Sequence, residues 1–233
     1  MIGEPRLHVP ECESTQALLL GSGLPEGAVA TTDHQTDGRG RLGRTWEDAP
    51  GTAVLVSVLL RPPAGRRAQE LSLVAGLATA ETVEAATGLS AQIKWPNDVM
   101  LARRKVAGIL AETRGVEVVV GIGLNVNQTH EQLPTETKVP AASLRTIDGR
   151  VRDREEVLQL LLDRLEAVYA RWREAGLDGL YDDVGARDFL RGRRVEVESV
   201  RGTADRIERD GRLAIETGSG RVLVASGEVL FER

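Results

Sequence analysis

The residues best suited to chemistry are in the stretch 38–46, GRGRLGRTW, where three glycines and three arginines precede a tryptophan. Glycine lets a backbone approach a ligand closely, and arginine presents a fixed fork of donors to a carboxylate or phosphate. This mixture is unsuited to a regular helix or strand. It predicts a loop that closes over an anion, although a solvated basic loop is the alternative that this stretch alone leaves open.

Two further stretches place polar side chains beside predicted strands. In residues 94–98, KWPND, Pro96 fixes a bend that gathers a cation, an amide and a carboxylate into one turn. In residues 104–110, RKVAGIL, Lys105 stands at the start of an apolar strand, from which it can project into a site. An ordinary turn and a solvated lysine at a strand edge are the alternatives to these interpretations.

The fourth stretch, residues 121–127, reads GIGLNVN. It is not a dinucleotide fingerprint, because the third glycine is missing and no helix is predicted to follow. Glycines inside a strand instead indicate a ligand lying close to the backbone. The chain has no Walker A motif, so phosphates would be held by other means.

Composition limits the class of protein. With 233 residues the chain can form one sizeable domain and a small one. A net charge of −5 disfavours a general nucleic-acid binder, and the single cysteine, Cys12, fits a reducing compartment. The three histidines are far apart without metal-ligand spacing. We find neither a signal peptide nor an apolar run that could span a membrane, and we expect a cytoplasmic protein.

Hydrophobic spacing predicts an α/β (α+β) domain over residues 1–185. Ser14 or Thr15 should cap a short helix that ends at Leu20. Longer helices are predicted at 69–87, where Gly88 is the stop, and at 154–175, and residues 128–143 should form a loop. The predicted strands are 28–32, 53–60, 92–95, 99–101, 106–113 and 116–126.

The character of the chain changes near Gly185. Short β-rich runs follow from Arg194, and Asp210-Gly211 and Ser219-Gly220 are turn signals between them. We therefore predict a second domain, residues 186–233, that forms a small β-barrel. It carries no site motif.

Taken together, GRGRLGRTW, KWPND, KVAGIL and GIGLNVN occur in an order and spacing that resemble the biotin–protein ligase family over nearly the whole chain. The resemblance implies a catalytic domain with a mixed sheet like that of class II aminoacyl-tRNA synthetases, followed by an SH3-like barrel. It also implies a two-step reaction. Biotin and Mg-ATP give biotinyl-5′-AMP and pyrophosphate, and the biotinyl group then passes to a lysine of a biotin carboxyl carrier domain.

The resemblance also assigns roles to residues. Lys105 would contact the biotin carboxylate and the α-phosphate, and Asp98 is a candidate for activating the acceptor lysine. Such cations suit the first step, since a carboxylate approaches an α-phosphate and both are negative. The loop residues that would close over the ligands are Gly38, Arg39, Gly40, Arg41 and Arg44, with Trp46 covering them, and Arg41 is counted with Lys105 and Asp98 as catalytic. The other implied contacts are Ser14, Thr15 and Gln35 for the ureido ring, Asn97 and Asp98 near nucleotide and metal, Asn125 for the purine, and Gly108 and Gly123 as bare backbone.

The implied cofactors and partners are biotin, ATP with Mg²⁺ held mainly through its phosphates, and a carrier domain of acetyl-CoA carboxylase or a related carboxylase. Because the Ser-Thr motif begins at residue 14, we expect no helix-turn-helix and no DNA partner, while a homodimer is compatible with the resemblance. A lipoate–protein ligase is the enzymatic alternative. A non-catalytic phosphate- or nucleic-acid-binding module is the other, although an aromatic content of 3% disfavours stacking on bases.

Overall fold

Seven strands form the larger of two sheets in the computed structural model, which describes residues 1–232. Their order is β1-β2-β3-β7-β6-β5-β4, and only the β1–β2 pair is parallel. This mixed sheet is the one expected for the fold class. The strands are β1 Arg6–Cys12, β2 Val29–Gln35, β3 Ala53–Leu60, β4 Ala91–Lys94, β5 Asp98–Leu101, β6 Arg104–Arg114 and β7 Glu117–Asn125.

Helices cover one face of this sheet and leave most of the other open. The helices are α1 Thr15–Leu19, α2 Leu71–Thr87, α3 Leu144–Asp148, α4 Arg154–Ala175 and α5 Tyr181–Ala186. α2 lies on the sheet and α4 packs on α2. The short α1 packs near β2, β3 and β7 with its own small apolar cluster around Leu19. The open part of that second face is where polar side chains gather.

The ends of the helices follow from capping residues. Ser14 caps α1, as predicted, by accepting a bond from the Gln16 amide. Gly88 ends α2 in the left-handed conformation that favours glycine, with φ +73°. Asp153 caps α4 by accepting from the amides of Glu155 and Glu156.

Five antiparallel strands form the second sheet, in the order β11-β10-β9-β8-β12. They are β8 Arg194–Val197, β9 Val200–Ile207, β10 Leu213–Thr217, β11 Gly220–Val224 and β12 Val229–Phe231. The run 194–200, predicted as one strand, is broken by a tight turn in which Glu198 has φ +54°. The two sheets together confirm the α+β class with a small C-terminal β unit.

Backbone bonds tie β4 to the segment 187–189, just after the predicted boundary, and a side-chain bond reaches the C-terminal sheet. The Ile93 amide donates to the Arg187 carbonyl at 2.7 Å, and the Phe189 amide donates to the Ile93 carbonyl at 3.0 Å. Trp95 Nε1 donates to the Gly211 carbonyl at 2.9 Å. One apolar core runs through both parts, and the division at residue 185 stays a prediction.

The sequence pattern did not predict β1. Most of its residues are exposed, and it contains Pro10, which is tolerated at a sheet edge because it needs no partner for an amide. Without a buried face, the strand has no hydrophobic alternation to detect.

Candidate active site

A cavity of about 870 Å³ opens on the face of the large sheet away from α2 and α4. Its floor is formed by β3, β6 and β7, its roof by the stretch 38–46, and its rim by the 128–143 loop and the C-terminal sheet. The predicted site residues that line it are Ser14, Thr15, Gln35, Arg39, Gly40, Arg41, Arg44, Trp46, Asn97, Asp98, Lys105, Gly108, Gly123 and Asn125. Gly38 is the predicted residue that this lining does not include.

The stretch 38–46, hereafter the lid, is a narrow loop closed on itself. The Trp46 amide donates to the Gly38 carbonyl at 2.8 Å, and the Gly40 amide donates to the Arg44 carbonyl at 2.7 Å. A Cβ on Gly38 would lie 2.4 Å from the Trp46 carbonyl oxygen. Gly38 therefore allows the two ends of the lid to meet, and its place is at the base of the loop.

Trp46 lies on the strand glycines. A Cβ on Gly123 would come within 2.5 Å of the indole ring, and one on Gly108 within 3.0 Å. The bare backbone that the sequence indicated is thus covered by an aromatic side chain of the lid. The Trp46 Nε1 is buried and has no hydrogen-bond partner within residues 1–232.

Three charged side chains form a cluster in the cavity wall. Lys105 Nζ lies 2.6 Å from Asp98 Oδ1, and Lys94 Nζ lies 3.7 Å from Asp98 Oδ2. Burial lowers the pKa of the Lys94 ammonium, and the charge of Asp98 opposes that shift. One carboxylate between two ammonium groups leaves a net positive charge, which suits an anionic ligand.

A bulge brings Lys105 to this cluster. β6 has one more residue than β5 between the pairs Val99–Ala107 and Met100–Lys105. A regular strand would put residues 105 and 108 on opposite faces. The extra residue places the Lys105 ammonium 3.3 Å from the Cβ that Gly108 lacks.

Arg41 extends from the lid toward the KWPND turn. Its Nη1 donates to Asn97 Oδ1 at 3.5 Å, and Asn97 Nδ2 donates to the Ile109 carbonyl at 2.9 Å. Burial lowers the pKa of the Arg41 guanidinium, with the Asp98 charge acting in the opposite direction. The guanidinium stays protonated at physiological pH. Arg41 therefore adds a cation above the lysines.

Uncharged groups occupy another part of the lining. Gln35 Oε1 accepts from the Thr15 amide at 2.9 Å and faces the Thr15 hydroxyl at 3.2 Å. The same hydroxyl lies 2.7 Å from Ser57 Oγ. This part of the cavity can offer donors and acceptors to a neutral polar ring.

Asn125 lines the cavity but has protein partners. Its Nδ2 donates to the Ala142 carbonyl at 3.1 Å, and its Oδ1 accepts from Gln128 at 2.9 Å. Both bonds hold the 128–143 loop, which also pairs with the backbone of Lys105 through Pro140 and Ala142. The structure thus gives Asn125 a supporting role, while a purine contact stays a prediction.

Sequence reasoning missed several lining residues. Gln16 is buried under Gly121 and donates to the Leu110 and Val119 carbonyls. Lys94 was treated only as part of a turn. The C-terminal sheet, for which no site motif was predicted, contributes Gly227, Glu228 and Val229. Of these residues, only Lys94 could have been predicted from the sequence, because a lysine at the end of an apolar strand can face a site as Lys105 does.

Within residues 1–232, no group of three or more histidine, cysteine, aspartate or glutamate side chains could hold a metal ion. None of the helices described there is long and apolar enough to cross a membrane.

Comparison with known proteins places this arrangement in a class. Residues 10–128 match the model of the Biotin/lipoate A/B protein ligase family. The chain is similar to the biotin–[acetyl-CoA-carboxylase] ligase of Mycobacterium tuberculosis, with 38% identity over 97% of this chain and 88% of that one. It is 32% identical to the bifunctional ligase/repressor BirA of Bacillus subtilis, over 98% of this chain and 74% of BirA.

The solved structures agree on the fold. The biotin protein ligase of Aquifex aeolicus in complex with biotin and ATP aligns with a TM-score of 0.89, at 32% identity and 99% coverage of both chains. The fold is that of this ligase class. The chain belongs to the biotin/lipoate A/B protein ligase family, which confirms the resemblance found in its motifs.

Proposed function

We propose that this chain is an ATP-dependent biotin–protein ligase that makes biotinyl-5′-AMP and transfers the biotinyl group to a lysine of a carrier domain. The observation that carries the proposal is the single cavity in which Lys94, Lys105 and Arg41 converge while Thr15 and Gln35 supply neutral polar groups. Such a cavity suits a ligand with a ureido ring and a carboxylate beside a nucleotide. The Aquifex relative was solved with biotin and ATP.

In the first step an oxygen of the biotin carboxylate attacks the α-phosphorus, and the bond to the leaving pyrophosphate breaks. Both partners are anions, so fixed cations lower the barrier by stabilising the developing charge. We assign Lys105 to the meeting point of carboxylate and α-phosphate. Arg39, Arg41 and Arg44 of the lid are assigned to the phosphates, and Trp46 covers the site against water.

In the second step the amine of the acceptor lysine attacks the carbonyl of the mixed anhydride, an amide forms and AMP leaves. The amine must lose a proton on the way. Asp98 is the carboxylate held beside Lys105, and we assign it the role of accepting that proton.

Mg²⁺ is expected with ATP. Magnesium often binds through one or two carboxylates plus substrate phosphates, and Asp98 is a carboxylate of the cavity wall. No side-chain cage for a metal is present in the described part of the chain. We therefore propose that the ATP phosphates supply most of the magnesium ligands, with Asp98 and Asn97 nearby.

Biotin is favoured over lipoate because the curated relatives are named for biotin and for acetyl-CoA carboxylase. We propose a biotin carboxyl carrier domain of such a carboxylase as the acceptor. That the chain has no DNA partner remains a prediction. Homodimer formation also remains a prediction. The non-catalytic binding module is disfavoured by family membership.

The test is ATP–pyrophosphate exchange with biotin, with lipoate and with no acid. Exchange should depend on biotin and be weak with lipoate. A biotin carrier domain should then become biotinylated on its lysine, which mass spectrometry would detect. Exchange that is equally fast with lipoate would contradict the preference for biotin, and no exchange with either acid would contradict ligase activity.

A further inference from the structure

Glu228 joins three parts of the molecule at the rim of the cavity. It directly precedes β12 in the C-terminal sheet. Its Oε1 accepts a hydrogen bond from Arg44 of the lid, and its Oε2 accepts one from Lys138 Nζ of the 128–143 loop at 2.7 Å. One carboxylate therefore bridges two segments that both line the cavity.

The backbone that carries Glu228 is fixed. Gly227 has φ +132°, and a Cβ there would lie 2.7 Å from Val197 Cγ1, so the chain turns tightly against β8. Val229 is buried and pairs with Val197. The carboxylate is thus presented from an element anchored in the core.

The lid is held much less firmly. None of its residues 41–43 is buried, and the Leu42 side chain is 68% exposed. Its other ion pair within residues 1–232, between Arg39 Nη1 and Glu112 Oε1, spans 4.0 Å. Arg41 reaches Asn97 only at 3.5 Å. The ion pair with Glu228 is accordingly the best-formed charged contact between the lid and the body of the protein.

Two cations stabilise the ionised form of the Glu228 carboxyl. Its pKa is held below the usual range, first by the hydrogen bond from Lys138 and then by that from Arg44. An ionised carboxylate bound by two cations is the arrangement that gives charge-assisted hydrogen bonds their strength.

We propose that Glu228 is a positioning residue that latches the lid, so that the C-terminal sheet controls how long the biotinyl-AMP intermediate is retained. This inference rests on the proposed ligase function. By holding Arg44 and Lys138 together, the carboxylate keeps the lid and the 128–143 loop closed on each other. Residues outside the large sheet then set the rate at which the reactive anhydride escapes.

The exposure of the Arg44 and Glu228 side chains sets how much the loss of this ion pair should speed adenylate release. Arg44 is 53% exposed and Glu228 28%, and exposed ion pairs are individually weak. A two-cation bridge is stronger than a single pair, so we expect loss of the carboxylate to speed release by about 3- to 10-fold. Adenylate formation at saturating substrates should change less than about two-fold, because Arg44 keeps its charge in the variant and Lys105, Arg39 and Arg41 are unchanged.

The experiment loads the full-length enzyme with radiolabelled biotinyl-AMP and follows its release during a chase with unlabelled adenylate. Glu228→Gln keeps the size of the side chain and removes its charge. We expect faster release from this variant. Release from the wild type should accelerate with added NaCl, because salt screens the pair, and the variant should lose most of that dependence. A purely structural role would leave the salt dependence in place.

The chain offers a matched control. Glu216 also pairs with an arginine, Arg221, at 3.7 Å, but in strands at the opposite edge of the same sheet. Glu216→Gln should release the adenylate at the wild-type rate. In a double-mutant cycle, Arg44→Gln combined with Glu228→Gln should release no faster than the faster single variant.

If Glu228→Gln fails to fold, Lys138→Gln tests the other arm of the bridge and should also speed release. Wild-type adenylate synthesis with an unchanged release rate in the folded variant would overturn the latch. An equal effect of Glu216→Gln would overturn it too. No adenylate from the wild type would instead overturn the ligase assignment, and the latch with it.

Discussion

Lys105 reaches the cavity because β6 contains one residue more than the neighbouring β5 at this point. The sequence predicted that Lys105 stands at a strand start and faces a site. It could not predict the bulge, since a bulge depends on how two strands pair and the apolar pattern of one strand does not determine that pairing. The loop conformation of residues 38–46 was easier to predict, because this mixture of glycines and arginines is unsuited to a regular helix or strand. Its closing over an anion stays a prediction.

Replacing Lys105 tests its charge. Lys105→Gln should lower the rate of biotinyl-AMP formation by about 10²-fold or more, as loss of other electrostatic stabilisers does. Thermal unfolding should change little, because the side chain is 29% exposed and adds nothing to the apolar core. ATP–pyrophosphate exchange measures the first effect and circular dichroism the second.

Arg104→Gln serves as the control for Lys105, since it removes a neighbouring cation from the exposed start of the same strand. It should exchange pyrophosphate at nearly the wild-type rate. Near-normal exchange in Lys105→Gln would remove Lys105 from the mechanism.

A substitution at Gly123 tests whether the packing of the Trp46 ring on this glycine matters for biotin binding. In Gly123→Ala the new methyl group would lie 2.5 Å from the indole, so the ring must shift. Overpacking of this kind destabilises the observed position of the ring by about 1–3 kcal/mol. Because the proposed cover over biotin needs the ring in that position, the KM for biotin should rise by roughly 5- to 150-fold. Steady-state kinetics would measure it. Gly185→Ala, where an added Cβ meets no atom within 4 Å, should leave KM unchanged, and an unchanged KM in Gly123→Ala would contradict the proposed cover.

At the scale of elements, long periodic segments were predicted closely and junctions were not. The bounds of β3 and α4 agree with the predicted ones, because both have continuous or helically spaced apolar residues. Within the KWPND segment, some residues line the cavity and others pack in the core, and the residue types alone do not show which. Asn97 and Asp98 face the cavity, whereas Trp95 is buried and bonds to the turn at Gly211.

Trp95 is therefore a stability residue. Trp95→Phe keeps an aromatic ring and removes the hydrogen bond to the Gly211 carbonyl, leaving that acceptor unpaired. We expect a loss of about 1–3 kcal/mol in the free energy of unfolding, measured by urea denaturation. Trp46→Phe is the matched control, since the Trp46 Nε1 has no partner to lose within residues 1–232. Equal losses in both variants would show that the bond to Gly211 contributes nothing specific.

For the whole molecule, composition and the change of pattern near Gly185 predicted a larger α+β part and a small β part, as observed. How the two parts meet could not be predicted. The contact depends on backbone bonds between Ile93 and the segment 187–189, and backbone groups carry no sequence signal. The contribution of Glu228 to the cavity follows from the same contact.

Removal of residues 186–233 tests whether the large α+β part depends on its contact with the C-terminal part. The 1–185 fragment loses the groups that cover Ile93 and Trp95, together with the part of the cavity rim formed by Glu228 and Val229. We expect a clearly lower urea midpoint and loss of both half-reactions, measured as single-turnover adenylate synthesis and carrier biotinylation. A soluble fragment with full two-step activity would show the C-terminal part to be dispensable.

The positions of the three tryptophans have an optical consequence. Trp95 and Trp172 are buried with their indole N–H groups bonded to the Gly211 carbonyl and to Glu70. Trp46 alone belongs to the lid. Its ring lies against strand backbone, and its buried N–H has no hydrogen-bond partner within residues 1–232. Indole emission depends on the polarity around the ring, so opening of the lid would shift the fluorescence of Trp46 while the other two stay constant. The lid thus carries an intrinsic fluorophore, and stopped-flow emission tests whether it opens and closes, without attaching a label.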